Sequence, residues 1–296
     1  EIMVVTGVQT CALPISVITG AANGIGFAIA KECVKREIKI VIADIDGKDL
    51  KRAEEQLKAE GAEVLAVEMD VMKFEDMEML AKKAIEKYQH IDLLFNNAGV
   101  VIAGPAWLLS LNDWEWVMKA NVWGIIHGEK VFIPIMLKQD TDCHIVNTSS
   151  VAGLLHLNGM SAYHTSKFAA VGLSESTYLD LQCETDKIKM SVFCPGFIQT
   201  DLDNCERHRP DIYKNDMSQP YYKSDLYKEE EQKKHNAIKG GTPIDPIGAT
   251  IFKAIEEEKF YILTHPELNP LIGLRVKNMF EGGSPSIDVI KGARKG

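Results

Sequence analysis

From Ser16 onward the chain alternates short apolar runs with longer amphipathic stretches. Residues 16–20 (SVITG) are a short apolar run entering a glycine-rich turn. Residues 24–36 then carry Ile25, Ala28, Ile29 and Cys33 at helical spacing. The β-branched run at 39–44 (KIVIAD) predicts a buried strand. Residues 48–60 predict a charged helix with Leu50, Ala53 and Leu57 on one face. The same alternation predicts strands over 62–70, 91–96, 143–150 and 189–196. It predicts helices over 74–89, over 160–184 and, in two pieces, over 111–139. No Pro/Ser linker interrupts the series, which is the signature of βαβ units. Right-handed crossovers then give an α/β fold, a three-layer doubly wound parallel sheet of about seven strands in a single domain.

After residue 200 the texture changes. Residues 201–240 are polar and show few apolar periodicities. A helix is predicted over 245–258, a last strand over 259–265, and a short helix over 269–281. The expected organisation is a domain over 16–265, with a substrate lid at 197–240, and a C-terminal tail over 266–296.

Composition narrows the class. With 46% hydrophobic and 25% charged residues, the 296-residue chain is neither disordered, collagen-like nor a disulfide miniprotein. A net charge of -9 makes it a poor candidate for binding nucleic acid. No run of eighteen apolar residues predicts a membrane span, and no basic-then-apolar secretory signal opens the chain. The six cysteines form no CxxC pair, and the eight histidines show no metal-binding spacing. A cytoplasmic protein without metal is expected. Residues 5–15 (VTGVQTCALPI) match the translation of a common sequencing-library adapter. Residues 1–15 are therefore expected to be a non-native leader, taking Cys11 with them. If that leader is real polypeptide, Pro14 should leave the first strand shortened or irregular at its start.

The first turn reads Thr19-Gly20-Ala21-Ala22-Asn23-Gly24-Ile25-Gly26. Glycines here let the backbone turn tightly and approach a pyrophosphate, and the following helix offers free N–H groups. Asp44 closes the second strand, twenty residues after Gly24. An acid there accepts the ribose hydroxyls of NAD and repels the 2′-phosphate of NADP. No Arg or Lys sits in the turn or directly after Asp44, so NAD is expected, with NADP as the alternative.

The spacing of Gly20, Gly24 and Gly26 resembles the short-chain dehydrogenase/reductase family, a Rossmann-type fold. Three further segments match that family. The resemblance implies that Asp70 and Val71 hold the adenine. It implies that Asn97, Ala98 and Gly99, in NNAG, lie near the adenosine ribose. It implies that Pro195, Gly196, Ile198 and Thr200 contact the nicotinamide amide. Asn23 and Ile25 would line the pyrophosphate turn.

Tyr163 and Lys167 stand four residues apart, on one face of a predicted helix. A free tyrosine titrates at about 10. A nearby ammonium favours the phenolate, and an oxidised nicotinamide adds positive charge. Lowering the pKa by about three units takes roughly 4 kcal/mol. Ser150 lies thirteen residues before Tyr163, the family's spacing, and is preferred to Ser149. Asn121, in KANVWG, matches the family asparagine that anchors a water and extends the relay through Lys167.

The resemblance implies NAD(P)-dependent oxidation of a secondary alcohol, or reduction of the ketone. Tyr163 would move the proton, Ser150 would orient the oxygen, and both Tyr163 and Lys167 would contact the cofactor. An NADP-dependent reductase, an epimerase and a non-catalytic nucleotide-sensing protein are the alternatives. A homodimer or homotetramer built on helices 111–139 and 160–184 is also implied. His156 is placed on the loop after Ser150, and His164 is expected to face away from the site. Trp114, Val117 and Met118 are read as core. Tyr213, Met217, Tyr221 and Tyr222 are expected to make the lid side of the substrate pocket apolar.

Overall fold

The computed structural model describes residues 13–139 and 141–285. Most of the expected leader, with Cys11, lies outside them, as does the end of the tail. The first part alternates β1 (Ile15–Thr19), α1 (Gly24–Lys35), β2 (Lys39–Asp44), α2 (Gly47–Ala59), β3 (Val64–Glu68), α3 (Phe74–Tyr88) and β4 (Leu93–Asn96). Then follow α4 (Leu111–Met118), α5 (Gly124–Gln139), β5 (Cys143–Thr148), α6 (Ser161–Glu184) and β6 (Ile188–Cys194). The last part holds α7 (Pro220–Lys223), α8 (Asp225–Lys239), α9 (Ile247–Glu256), β7 (Tyr261–Leu263) and α10 (Asn269–Phe280).

The seven strands form one sheet in the order β3-β2-β1-β4-β5-β6-β7, and every neighbouring pair is parallel. Parallel pairing requires crossovers, and the helices that make them cover both faces. Alternate strand residues therefore enter two separate cores. Ile18, Ile40 and Ile42 pack with Ile29, Leu50 and Phe252. Val17, Val41 and Leu94 pack with Met77, Leu80 and Phe132 on the other face. The chain moves outward from β1 to β3 and then restarts at β4 beside β1. That reversal opens a crevice at the carboxyl ends of β1 and β4, where ligands of such sheets bind.

β1 begins at Ile15, within the segment set aside as a leader, and pairs with β2 from that residue onward. The Ile15 N–H donates to Asp92 Oδ2 at 2.8 Å, so the strand start is regular and held by the residue just before β4. Between α4 and α5 the backbone widens to a π-helix over Lys119–Trp123. Such a widening often marks a functional position, and Asn121 sits in it.

The polar segment 201–240 holds a helix that its pattern did not predict. The face of α8 turned inward carries Tyr227, Glu230, Lys234 and Ile238, at helical spacing but half charged. Periodicity looks for apolar residues at such positions and finds none at two of them. A third core joins this segment to α4 through Val101, Trp116, Tyr221, Tyr222 and Ile238. Trp116 and Val117 are its buried anchors, not Trp114 or Met118, which are only partly buried.

Candidate active site

The glycine turn is forced by contact. Gly20 has φ +64°, and a Cβ there would stand 2.7 Å from the Ala98 Cα. A Cβ on Gly26 would meet the Gly20 carbonyl oxygen at 2.2 Å, so α1 starts directly against the turn. Asn97 braces this arrangement from β4. Its side-chain amide donates to the carbonyls of Thr19 (3.0 Å) and Gly20 (3.1 Å). The Thr19 hydroxyl accepts from the N–H groups of Asn97 and Ala98. Asn97 thus acts on the turn through its side chain as well as presenting backbone to the crevice.

A cavity of about 630 Å³ runs from this turn to the loop after β5. Every residue expected in the catalytic and cofactor-binding set lines it, except Gly26 and Asn121. At one end Asp44 accepts from the N–H groups of Ala22 and Asp46, both at 3.0 Å. Burial nevertheless raises the Asp44 carboxyl above its ordinary pKa. Asp70 accepts from the Met72 N–H at 2.9 Å, which fixes the turn leading to Val71. The glycine turn that lines the cavity with Gly20 and Gly24, and the acid at Asp44, suit a dinucleotide.

At the other end Tyr163, Lys167 and Ser150 converge. The Lys167 Nζ lies 5.6 Å from the centre of the Tyr163 ring and donates to the Thr148 carbonyl at 3.1 Å. Burial pushes the Tyr163 phenol up to about 12, while its hydrogen bond with Ser150 pulls the other way. Burial also brings the Lys167 ammonium down to about 8. The protein alone therefore does not lower the tyrosine, contrary to the expectation from the lysine spacing. At 5.6 Å from the ring, the ammonium does not offset the loss of water around the phenol. Ser150 is the serine on Tyr163, since Ser149 spends its hydroxyl on the Lys167 carbonyl at 2.8 Å. The Ser150 hydroxyl donates to the Pro195 carbonyl (3.2 Å) and accepts from the Ala152 N–H (3.1 Å).

Asn121 stands behind the cavity wall without lining the cavity itself. Its amide is fully buried and bonded to the Val100 N–H and carbonyl, at 2.7 and 2.9 Å, and to Ser166 Oγ. A Cβ on Gly99 would stand 3.1 Å from Asn121 Oδ1 and 3.5 Å from Lys167 Nζ. Gly99 is thus wedged between the two side chains. His164 is also nearer the site than expected. Its Nε2 accepts from the Leu157 N–H at 2.9 Å, so Nδ1 carries the proton and donates to the Ala152 carbonyl at 2.8 Å. One ring thereby pins the loop after Ser150. His156 lines the cavity from an exposed position and accepts from Arg275 Nε at 3.2 Å.

The segment after β6 covers the cavity with Phe197, Leu202, Cys205, Ala237 and Ile238. The four residues expected to do so do not line it; Tyr221 and Tyr222 are buried against α4 instead. Tyr222 donates to Asp113 Oδ2, whose other oxygen takes Arg209 (2.8 Å) and Asn215 (2.7 Å). The Tyr222 hydroxyl is thus spent on α4, which keeps that ring turned away from the cavity. Leu268 and Leu271, from the tail, line it as well. Among the described residues, no cluster of three or more His, Cys, Asp or Glu side chains could hold a metal ion. Nor is any helix there long and apolar enough to cross a membrane.

Comparison with known proteins agrees with this geometry. The family model described as short chain dehydrogenase matches residues 14–211. The chain is 46% identical over 275 residues to the CLA biosynthesis dehydrogenase/reductase of Lactiplantibacillus plantarum, covering 93% of this chain and 96% of that one. It is 29% identical to the 1-deoxy-11-beta-hydroxypentalenate dehydrogenase of Streptomyces avermitilis, covering 92% and 96%. A crystal structure of a short chain dehydrogenase/reductase from Burkholderia phymatum in complex with NAD superposes with a TM-score of 0.90 at 39% identity, covering 93% and 96%. With the glycine turn, the parallel sheet and the Tyr163–Lys167 pair at one crevice, these matches show that the chain belongs to the short-chain dehydrogenase/reductase family of oxidoreductases.

Proposed function

We propose that the protein interconverts a secondary alcohol and its ketone with NAD, using Tyr163 as the proton-transferring group. The observation that carries this reading is the convergence of Tyr163, Ser150 and Lys167 on the cavity that also holds the glycine turn. A nicotinamide bound there supplies the hydride acceptor and, when oxidised, a positive charge near the phenol. Tyr163 takes the hydroxyl proton in oxidation and returns it in reduction. Ser150, fixed by Pro195 and Ala152, holds the substrate oxygen beside it. Lys167, anchored on Thr148, binds the cofactor ribose and favours the phenolate. Asn121 holds Val100 in place and backs Gly99 against the lysine.

The preference for NAD rests on Asp44, with Asp46 and Asp49 close behind it in sequence. The substrate end is walled by Val101, Ala103, Trp116, Leu155 and Leu271, which fits an apolar substrate. The substrate of the relative named for CLA biosynthesis is the first to try. Leu137 and Leu179 remain exposed on α5 and α6, and they support an oligomer built on those helices. The test is a panel of apolar secondary alcohols and ketones with NAD(H) and NADP(H), read by absorbance of the reduced nicotinamide. Substrate-dependent turnover preferring NAD(H) is expected. Turnover of no alcohol or ketone with either cofactor contradicts the reading.

A further inference from the structure

The short 3₁₀ segment Leu202–His208 reaches across the crevice to the corner between β2 and α2. Arg207 makes the connection. Its Nη2 lies 3.6 Å from Asp49 Oδ2, its Nε lies 4.0 Å from Asp46 Oδ2, and its Nη1 pairs with Asp201. The neighbouring His208 places Nδ1 3.8 Å from Asp46 Oδ2. Arg207 and His208 line the same cavity as Gly24 and Asp44. The other side of the segment is tied down too. Lys239, at the end of α8, donates to the Thr200 carbonyl at 2.9 Å and pairs with Asp203 at 3.1 Å. The segment is thus held on α8 and on the adenosine corner, with the crevice beneath it.

We propose that Arg207 clips the substrate-side segment over the adenosine half of the crevice and so controls how fast the dinucleotide leaves. The inference rests on the cofactor reading above. It extends that reading from the residues that bind the cofactor to one that retains it. Because Arg207 is shared among three carboxylates, it serves as a positioning residue and is not a free cation awaiting a 2′-phosphate. A forked guanidinium suits such sharing better than an ammonium. The pairs are partly exposed, so salt must weaken them.

The test is the dissociation rate of NADH, measured by stopped-flow fluorescence as excess NAD displaces it. R207A is expected to release NADH about three- to tenfold faster, the scale of a few partly exposed ion pairs. The double variant D46N/D49N attacks the clip from the other side and keeps the cap on α2, since Asn caps as well as Asp. It should show the same acceleration, and combining it with R207A should add little further. R207K should recover part of the effect. Raising the salt concentration should speed release from the native chain and leave R207A nearly unchanged. An off-rate unaltered in both R207A and D46N/D49N, or fully additive effects, overturns the clip. A native chain that binds neither NADH nor NADPH overturns the cofactor reading and the clip with it.

Discussion

The Lys167 ammonium donates to the main-chain carbonyl of Thr148, two residues before Ser150. The strand end that positions the serine therefore also fixes the lysine, and one buried contact sets the geometry of both. Replacing Lys167 with Met should leave the carbonyl without its donor and the tyrosine without its cation. We expect kcat/KM to fall on the order of 10²-fold or more, with KM for NAD raised. K167R should recover little, because its planar fork does not fit a space shaped for a point charge. Steady-state kinetics of the two variants check this, and full activity in K167M would remove the lysine from the account.

A second pair ties the long helices together. Glu129 on α5 accepts from the Thr177 hydroxyl on α6 at 2.9 Å and from Asn147 at 2.7 Å. Burial pushes its carboxyl up to about 7. Between its ordinary 4.5 and about 7, the folded protein keeps a proton that the unfolded chain has released. The stability linked to that proton is fully present below 4.5 and is lost as pH rises through about 7. The slope inside the window approaches roughly 1.4 kcal/mol per pH unit. E129Q keeps a neutral partner for both hydrogen bonds and should flatten this dependence. Urea midpoints measured across the window decide it; an identical slope in E129Q contradicts the assignment.

Arg209 and Asp113 form a buried ion pair that anchors the substrate-side segment on α4, and Arg209 also stacks 4.1 Å over Trp116. Breaking such a pair from one side costs about 3–5 kcal/mol, because a charge is left buried alone. In R209M, amide hydrogen exchange should quicken over 211–239 and KM for the alcohol should rise severalfold. Exchange unchanged over 211–239 would show that the anchor lies elsewhere.

The strands were legible because β1, β2 and β4–β6 are largely buried on both faces and carry mostly apolar residues. Tyr163, Lys167 and Ser150 were legible because the proposed chemistry requires fixed residue types at fixed spacing. α8 was not, since Glu230 and Lys234 occupy inward positions where a core helix would carry apolar side chains. Arg207 escaped notice for a different reason. No Arg or Lys directly follows Asp44 in the sequence, whereas this one arrives from 163 residues away. His164 and Asn97 act through backbone hydrogen bonds, which spacing does not reveal. The aromatic residues of 213–222 were misplaced because composition says which side chains are apolar but not which way they turn.

The most direct test of the account is Y163F. The change removes only the hydroxyl, at a site where the ring is held by packing. Turnover with the best substrate should fall by roughly 10²- to 10⁴-fold, while the dissociation constant for NADH, titrated by fluorescence, stays within a few-fold of the native value. Native-level turnover in Y163F, with NADH binding intact, would contradict the central claim that this phenol moves the proton.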